Sequence, residues 1–405
     1  MQHTQTPRRA APILILAALV TGATVLGALA VPAGPGDNGE VPAPQPIVEE
    51  ERVTWQEVQR LQNEQKFEAA FDVAEAIRLR AVENDDAEEW TRAIVEQVKL
   101  RSALHGYETA VRFLKETPWP DDEVSRAVLD LYYAHSLATY VHAYSWEIRQ
   151  RERVEAKGEV DLKAWTADQI AAEARRAFVG AWELREELGT LPVSRLSRFL
   201  VPNTYPTEVR GTLRDAVSYL FVELLADSSL WSPAESNDLF RIDFDTLLEG
   251  DPAASATLKL DNPAVHPLVA LGAVLDDLET WHTRDGRPEA ALEARLERAR
   301  RLHAAFTDAP KRASIQADLE KRLPGFREVP WWAEGKATLA ELVRQGPEED
   351  ALVRAHALAR EGRRAYPESV GGRHCVSIQR SIEAPDYGIA SMSHDNLGRR
   401  SLQVT

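Results

Sequence analysis

From Val53 to Ala365 the chain places apolar residues three and four apart with few interruptions, and this helical period restricts its fold more than any other feature. Trp55, Val58 and Leu61 mark one face of a first helix; Phe67, Ala70, Phe71 and Ala74 mark a second, with the polar residues 62–66 between them. A link that short makes the two helices antiparallel neighbours. A third helix is predicted over 87–104, where Trp90, Ile94 and Val98 recur after the polar patch 83–89. Further helical stretches follow at 107–115, 123–148, 167–188, 207–225, 267–281, 289–305, 313–323, 338–343 and 350–365. In the last of these Ala355, Leu358, Ala359 and Gly362 form a small-residue face suited to close helix packing.

Pairs of amphipathic helices separated by short Pro, Gly or acidic breaks are how helix-hairpin solenoids are written. A strict tetratricopeptide period of about 34 residues fits only the first pair and the last helix, which ends in Tyr366-Pro367. The expected fold is therefore all-α, an irregular helix-hairpin, tetratricopeptide-like solenoid. Two helical halves, 51–230 and 264–375, are joined by an irregular connection at 231–263 that carries Pro and Asp breaks. After Tyr366-Pro367 the helical period disappears. Residues 387–392 and 401–405 alternate apolar and polar positions around the polar loop 395–399, which predicts a short C-terminal β segment within 376–405. Two strands alone bury no core, so the segment reads as the opening of a truncated β domain.

The N-terminus has the form of a targeting signal: Arg8-Arg9, an apolar run from Ala10 to Leu29, and small-residue cleavage sites at Ala28 and Ala30. Residues 1–30 are expected to be a secretory signal peptide or, uncleaved, a membrane anchor, since the run is long enough to span a bilayer. The Pro/Gly-rich residues 31–50 form a linker. Gly34, Gly36 and Gly39 match a dinucleotide fingerprint by letter. No strand precedes them and no helix follows, so the backbone cradle that the fingerprint needs is missing. The chain is expected to be exported, to the periplasm, the cell envelope or outside the cell.

A formal charge of −16 offers no basic patch for nucleic acid or anionic lipid, so membrane contact is expected only through an uncleaved N-terminus. The single cysteine, Cys375, forms no internal disulfide and no CxxC pair. No HExxH, GxSxG or GxxxxGK[ST] motif is present, and we expect no enzyme, no catalytic residue, no cofactor and no metal. His135 and His142 share a face of one predicted helix but would need a third ligand from elsewhere. The acidic pairs Asp85-Asp86, Asp121-Asp122 and Asp276-Asp277 fall at predicted turns or helix starts, where carboxylates suit the helix dipole. One stripe could bind protein. Tyr132, Tyr140 and Tyr144 share a helix face, the arrangement either of a concave peptide groove or of a packed interior. Trp331-Trp332 reads as a packing plug at a helix start.

Three stretches resemble the N-terminal region of bacterial alpha-2-macroglobulin-like proteins. They are Gln65-Lys-Phe-Glu-Ala-Ala-Phe-Asp-Val-Ala-Glu-Ala-Ile77; Trp165-Thr-Ala-Asp-Gln-Ile170 continuing through Ala177-Phe178 and Leu191-Pro192 to Thr212-Leu-Arg-Asp-Ala-Val-Ser-Tyr-Leu-Phe221; and Tyr366-Pro367-Glu-Ser369, Gly372-Arg-His-Cys375 and Ile382-Glu-Ala-Pro385 with the strands beyond. The resemblance implies a non-enzymatic, exported scaffold at the front of a protease inhibitor or trap, whose C-terminal segment begins an incomplete macroglobulin-type β-sandwich. Proteases or other proteins would then be met through downstream domains. The family's thioester motif, Cys-x-Glu-Gln, is absent, because Cys375 is followed by Val-Ser-Ile-Gln379. The alternative is a free-standing tetratricopeptide-like adaptor that binds proteins or peptides in the cell envelope.

Overall fold

The computed structural model describes residues 53–151, 162–201, 203–384, 389–394 and 400–404. The expected signal with Ala28 and Ala30, the linker and the loop 395–399 lie outside the described residues. Up to Glu383 the described chain is all-helical, with eighteen α-helices. It forms two compact units, Met1–Ile242 together with Ala253–Val274, and Asp243–Pro252 together with Leu275–Thr405.

In the first unit α1 (Trp55–Asn63), α2 (Phe67–Glu83), α3 (Ala87–His105), α4 (Tyr107–Glu116) and α5 (Glu123–Ala143) each pack on the next. After α6 (Ser145–Ile148), α5 continues onto α7 (Ala167–Glu183), and α7, past α8 (Arg185–Leu188), onto α9 (Leu213–Ala226). Val58, Leu61, Ala70, Val73, Ala74, Ile77, Ala93 and Leu100 form the buried centre of the opening hairpins. The links are built alike. Lys66 N–H returns to the Leu61 carbonyl at 2.8 Å and Asp86 N–H to Ala81 at 2.9 Å, while Gln65 (φ 59°) and Asp85 (φ 54°) take the left-handed conformation between. This is the closed helix C-terminus in which a left-handed residue lets the chain reverse.

The helix expected from 207 starts only at Leu213. Thr212 caps it reciprocally with Asp215, and Gly211 before it packs so tightly that a Cβ would lie 1.9 Å from the Thr207 carbonyl oxygen. The stretch 231–263 carries three short helices, α10 (Pro233–Asp238), α11 (Phe244–Glu249) and α12 (Pro252–Ser255).

The second unit takes up the chain within α13 (Pro267–Arg284), followed by α14 (Pro288–Ala305), α15 (Ala309–Arg322), α16 (Trp332–Arg344), α17 (Ala351–Ala365) and α18 (Val370–Glu383). The α13–α14 link repeats the turn of the first unit, with Gly286 at φ 67° and Arg287 N–H on the His282 carbonyl at 2.9 Å. α14 packs on α15 and α16, and α16, α17 and α18 pack on one another. Ala355, Ala359 and Gly362 are buried there, as the small-residue face of α17 requires.

The helical period does not end at Pro367, as the sequence reading held. Ser369 caps α18, whose Gly371, Cys375 and Ile378 are buried at helical spacing, so helix occupies 370–383 where the β segment was expected to begin at 376. Beyond it β1 (Ile389–His394) and β2 (Arg400–Val404) lie antiparallel, with Met392 opposite Leu402 and an irregularity between Ile389 and Ser391.

Candidate protein-interaction groove

Two helix N-termini meet in the first unit. Asp86 caps α3 through the Glu89 N–H at 3.1 Å, Asp122 caps α5 through the Ser125 N–H at 3.0 Å, and the Ser125 hydroxyl donates to the Ala87 carbonyl at 3.4 Å. Trp55 adjoins them, its indole N–H on Glu89 Oε2 at 2.5 Å and the Arg92 guanidinium 3.9 Å above its ring. The wall is the segment after α8, where Arg198 reaches Glu88 at 3.1 Å and Glu89 at 3.3 Å. Between them lies a small, partly open groove. Its floor holds Val124, Val128 and Phe199, and its rim Glu88, Asp122 and Arg195. The Thr91 hydroxyl also donates to the Ala87 carbonyl, at 2.8 Å, so the backbone uses both floor hydroxyls. The resulting surface is apolar below and charged at the edge.

The tyrosine stripe is not that surface. Tyr132 and Tyr140 are buried, because α7 and α9 pack over α5, and only Tyr144 reaches solvent, at 36 % exposure. Each buried hydroxyl finds a carbonyl: Tyr132 donates to Phe199 at 2.7 Å and Tyr140 to Leu162 at 3.3 Å. Burial also pushes the Tyr132 phenol well above its usual range. Tyr132 thus supports the groove wall from behind. Trp146, one helix further, is 75 % exposed. Trp331 and Trp332 are buried at the start of α16, with the Trp331 indole N–H on Glu293 at 2.8 Å, in keeping with a packing plug.

The remaining sequence candidates separate. His142 pairs with Asp227 at 2.8 Å, and its hydrogen bond to that carboxylate raises its pKa; burial lowers that of His135. Asp86 and Asp122 are helix caps, as expected. Asp276 is not at a turn: it lies buried within α13, 2.5 Å from the fully buried Arg298 of α14. A carboxylate there is held by a buried cation and has no need of a helix dipole. Cys375 is buried against α16, its Sγ 3.4 Å from the Ala333 carbonyl oxygen, and burial pushes its thiol up to about 12.

Sequence reasoning passed over a cluster between α5 and α7. Burial raises the Asp130 carboxyl to about 6. Burial would raise Glu173 as well, but Arg176, Lys115 and the Tyr133 hydroxyl outweigh it and hold that carboxyl at about 2. Asp130 occurs as an ordinary polar position of an amphipathic helix, so no local pattern marks it.

Among the described residues no three His, Cys, Asp or Glu side chains are grouped to hold a metal ion, and no helix is long and apolar enough to cross a membrane. No protein-family model, no curated protein and no solved structure matches the chain.

Proposed function

We propose that this chain is an exported, non-enzymatic scaffold of repeat-like helical hairpins that works by holding protein, in its finer form the front region of an alpha-2-macroglobulin-like protease inhibitor or trap. The observation that carries the scaffold reading is a repeated bond across α1 and α3: Trp55 to Glu89 and Gln62 to Glu96, each pair 34 residues apart. Equivalent turns of consecutive hairpins lie side by side at that spacing in tetratricopeptide-like stacking. The groove at the N-termini of α3 and α5 gives such a stack a concave contact site. The passage from α18 into a paired β segment favours the macroglobulin form, in which a helical front end precedes β-sandwich domains.

Binding is tested by titrating an array of extended peptides against the purified chain and its Val128→Asp variant. Peptides bound by the parent and released at least tenfold by the variant support a groove function. Equal binding to both overturns the groove. Export is tested by N-terminal sequencing of the mature protein. A start just after Ala28 or Ala30 supports a cleaved signal, and an intact N-terminus in the membrane fraction supports the anchor. An intact, unanchored N-terminus contradicts export.

A further inference from the structure

We propose that the second unit contains a receptor site for the C-terminal turn of an amphipathic helix, filled in this chain by its own segment Asp243–Pro252. That segment is the discontinuous part of the unit, since the residues on both sides of it, up to Ile242 and from Ala253, belong to the first. Its backbone is bound by side chains of the unit. The last carbonyls of α11 have no partner within the helix, and arginines of the unit supply one: Arg298 donates to Leu247 at 2.8 Å, Arg295 to Leu248 at 2.8 Å and to Glu249 at 3.2 Å, and Arg322 to Glu249 at 3.3 Å. Asp276 accepts the Asp251 N–H at 3.1 Å, and its other oxygen holds Arg298.

Side chains fix the register. Phe244 stands edge-on to Phe306 with ring centres 5.1 Å apart, and Leu247 and Leu248 are buried. Gly250 ends the helix at φ 86°, and a Cβ there would lie 2.3 Å from Asp276 Oδ1, so the site selects glycine. Alongside the segment runs an open cleft lined by Thr280, Thr283, Arg284 and Arg322. The ligand class is therefore a helix ending in aromatic-x-x-Leu-Leu-x-Gly. A free peptide of that form would present the same carbonyls to the same arginines.

Two measurements on the full chain decide this. In native-state hydrogen exchange, the amides of 247–251 are expected to exchange at least tenfold faster than those of α14 and α16, through opening of the segment alone. Exchange only at the rate of global unfolding overturns the proposal. In the second, Phe244→Ala loosens the segment in cis, and fluorescein-labelled peptide 243–252 is titrated in. Saturable binding is expected, weakened at least tenfold when the peptide carries Gly250→Val. A variant that keeps the parent's helical circular dichroism but does not bind the peptide overturns it; should the variant not fold, the exchange measurement on the parent decides alone.

Discussion

Tyr132 and Phe199, far apart in sequence, are joined by a 2.7 Å bond from the buried phenol to the main-chain carbonyl that forms part of the groove wall. The residue that looked like a binding aromatic is thus a support for the surface beside it. Removing only its hydroxyl, by Tyr132→Phe, leaves the Phe199 carbonyl without this donor and is expected to destabilise the chain by about 1–2 kcal/mol in urea unfolding. Hydrogen exchange should quicken at 196–200 before it changes in α2 or α3. An unaltered midpoint would show that the wall is held by other contacts.

The three matching hairpin turns differ in how well their residue suits the left-handed conformation. Gln65 carries a Cβ where Gly286 does not, and Asp85 is intermediate because Asp tolerates this region better than most residues. Gln65→Gly is expected to stabilise by about 0.5–1 kcal/mol, and Asp85→Gly by less. Gly286→Ala should cost about 1 kcal/mol, since a Cβ there meets nothing within 4 Å and only the backbone is strained. Denaturant midpoints of the three variants check the order, and a destabilised Gln65→Gly would refute it.

Asp130 makes stability depend on pH. Its carboxyl is raised by burial to about 6 in the fold, against about 3.9 in an unfolded chain, so the charged form is disfavoured on folding. The cost is absent below the unfolded value, grows as pH rises, and is complete above about 6. Asp130→Asn is therefore expected to be more stable than the parent by roughly 1–3 kcal/mol at pH 7.5, a gain that shrinks to about a third of that at pH 4.5. Unfolding titrations of both proteins at the two pH values read the difference, and a gain independent of pH would exclude this cause.

What could be read in the sequence was local. Hairpin positions, several helix bounds and the helix starts at Asp86 and Asp122 follow from spacing and from side chains that bond the next turn. α18 was missed because the helical period was read as ending at Tyr366-Pro367. Gly371 is where α18 approaches α16 so closely that a Cβ would lie 2.0 Å from the Glu334 amide nitrogen. The Asp276–Arg298 pair, the arginine caps on α11 and the covering of Tyr132 depend on partners brought from distant segments, and helical periodicity carries no record of which helix covers which.

The size of the native polypeptide tests the macroglobulin form of the scaffold reading most directly. The chain has a mass of 45.2 kDa. An antibody against residues 53–384, followed by peptide mapping of the band it detects, is expected to find a much larger protein whose peptides continue past Thr405 into further β-rich sequence with a Cys-x-Glu-Gln. A native band at 45.2 kDa, or below it by the mass of a signal peptide, would contradict the macroglobulin form and leave the free-standing adaptor.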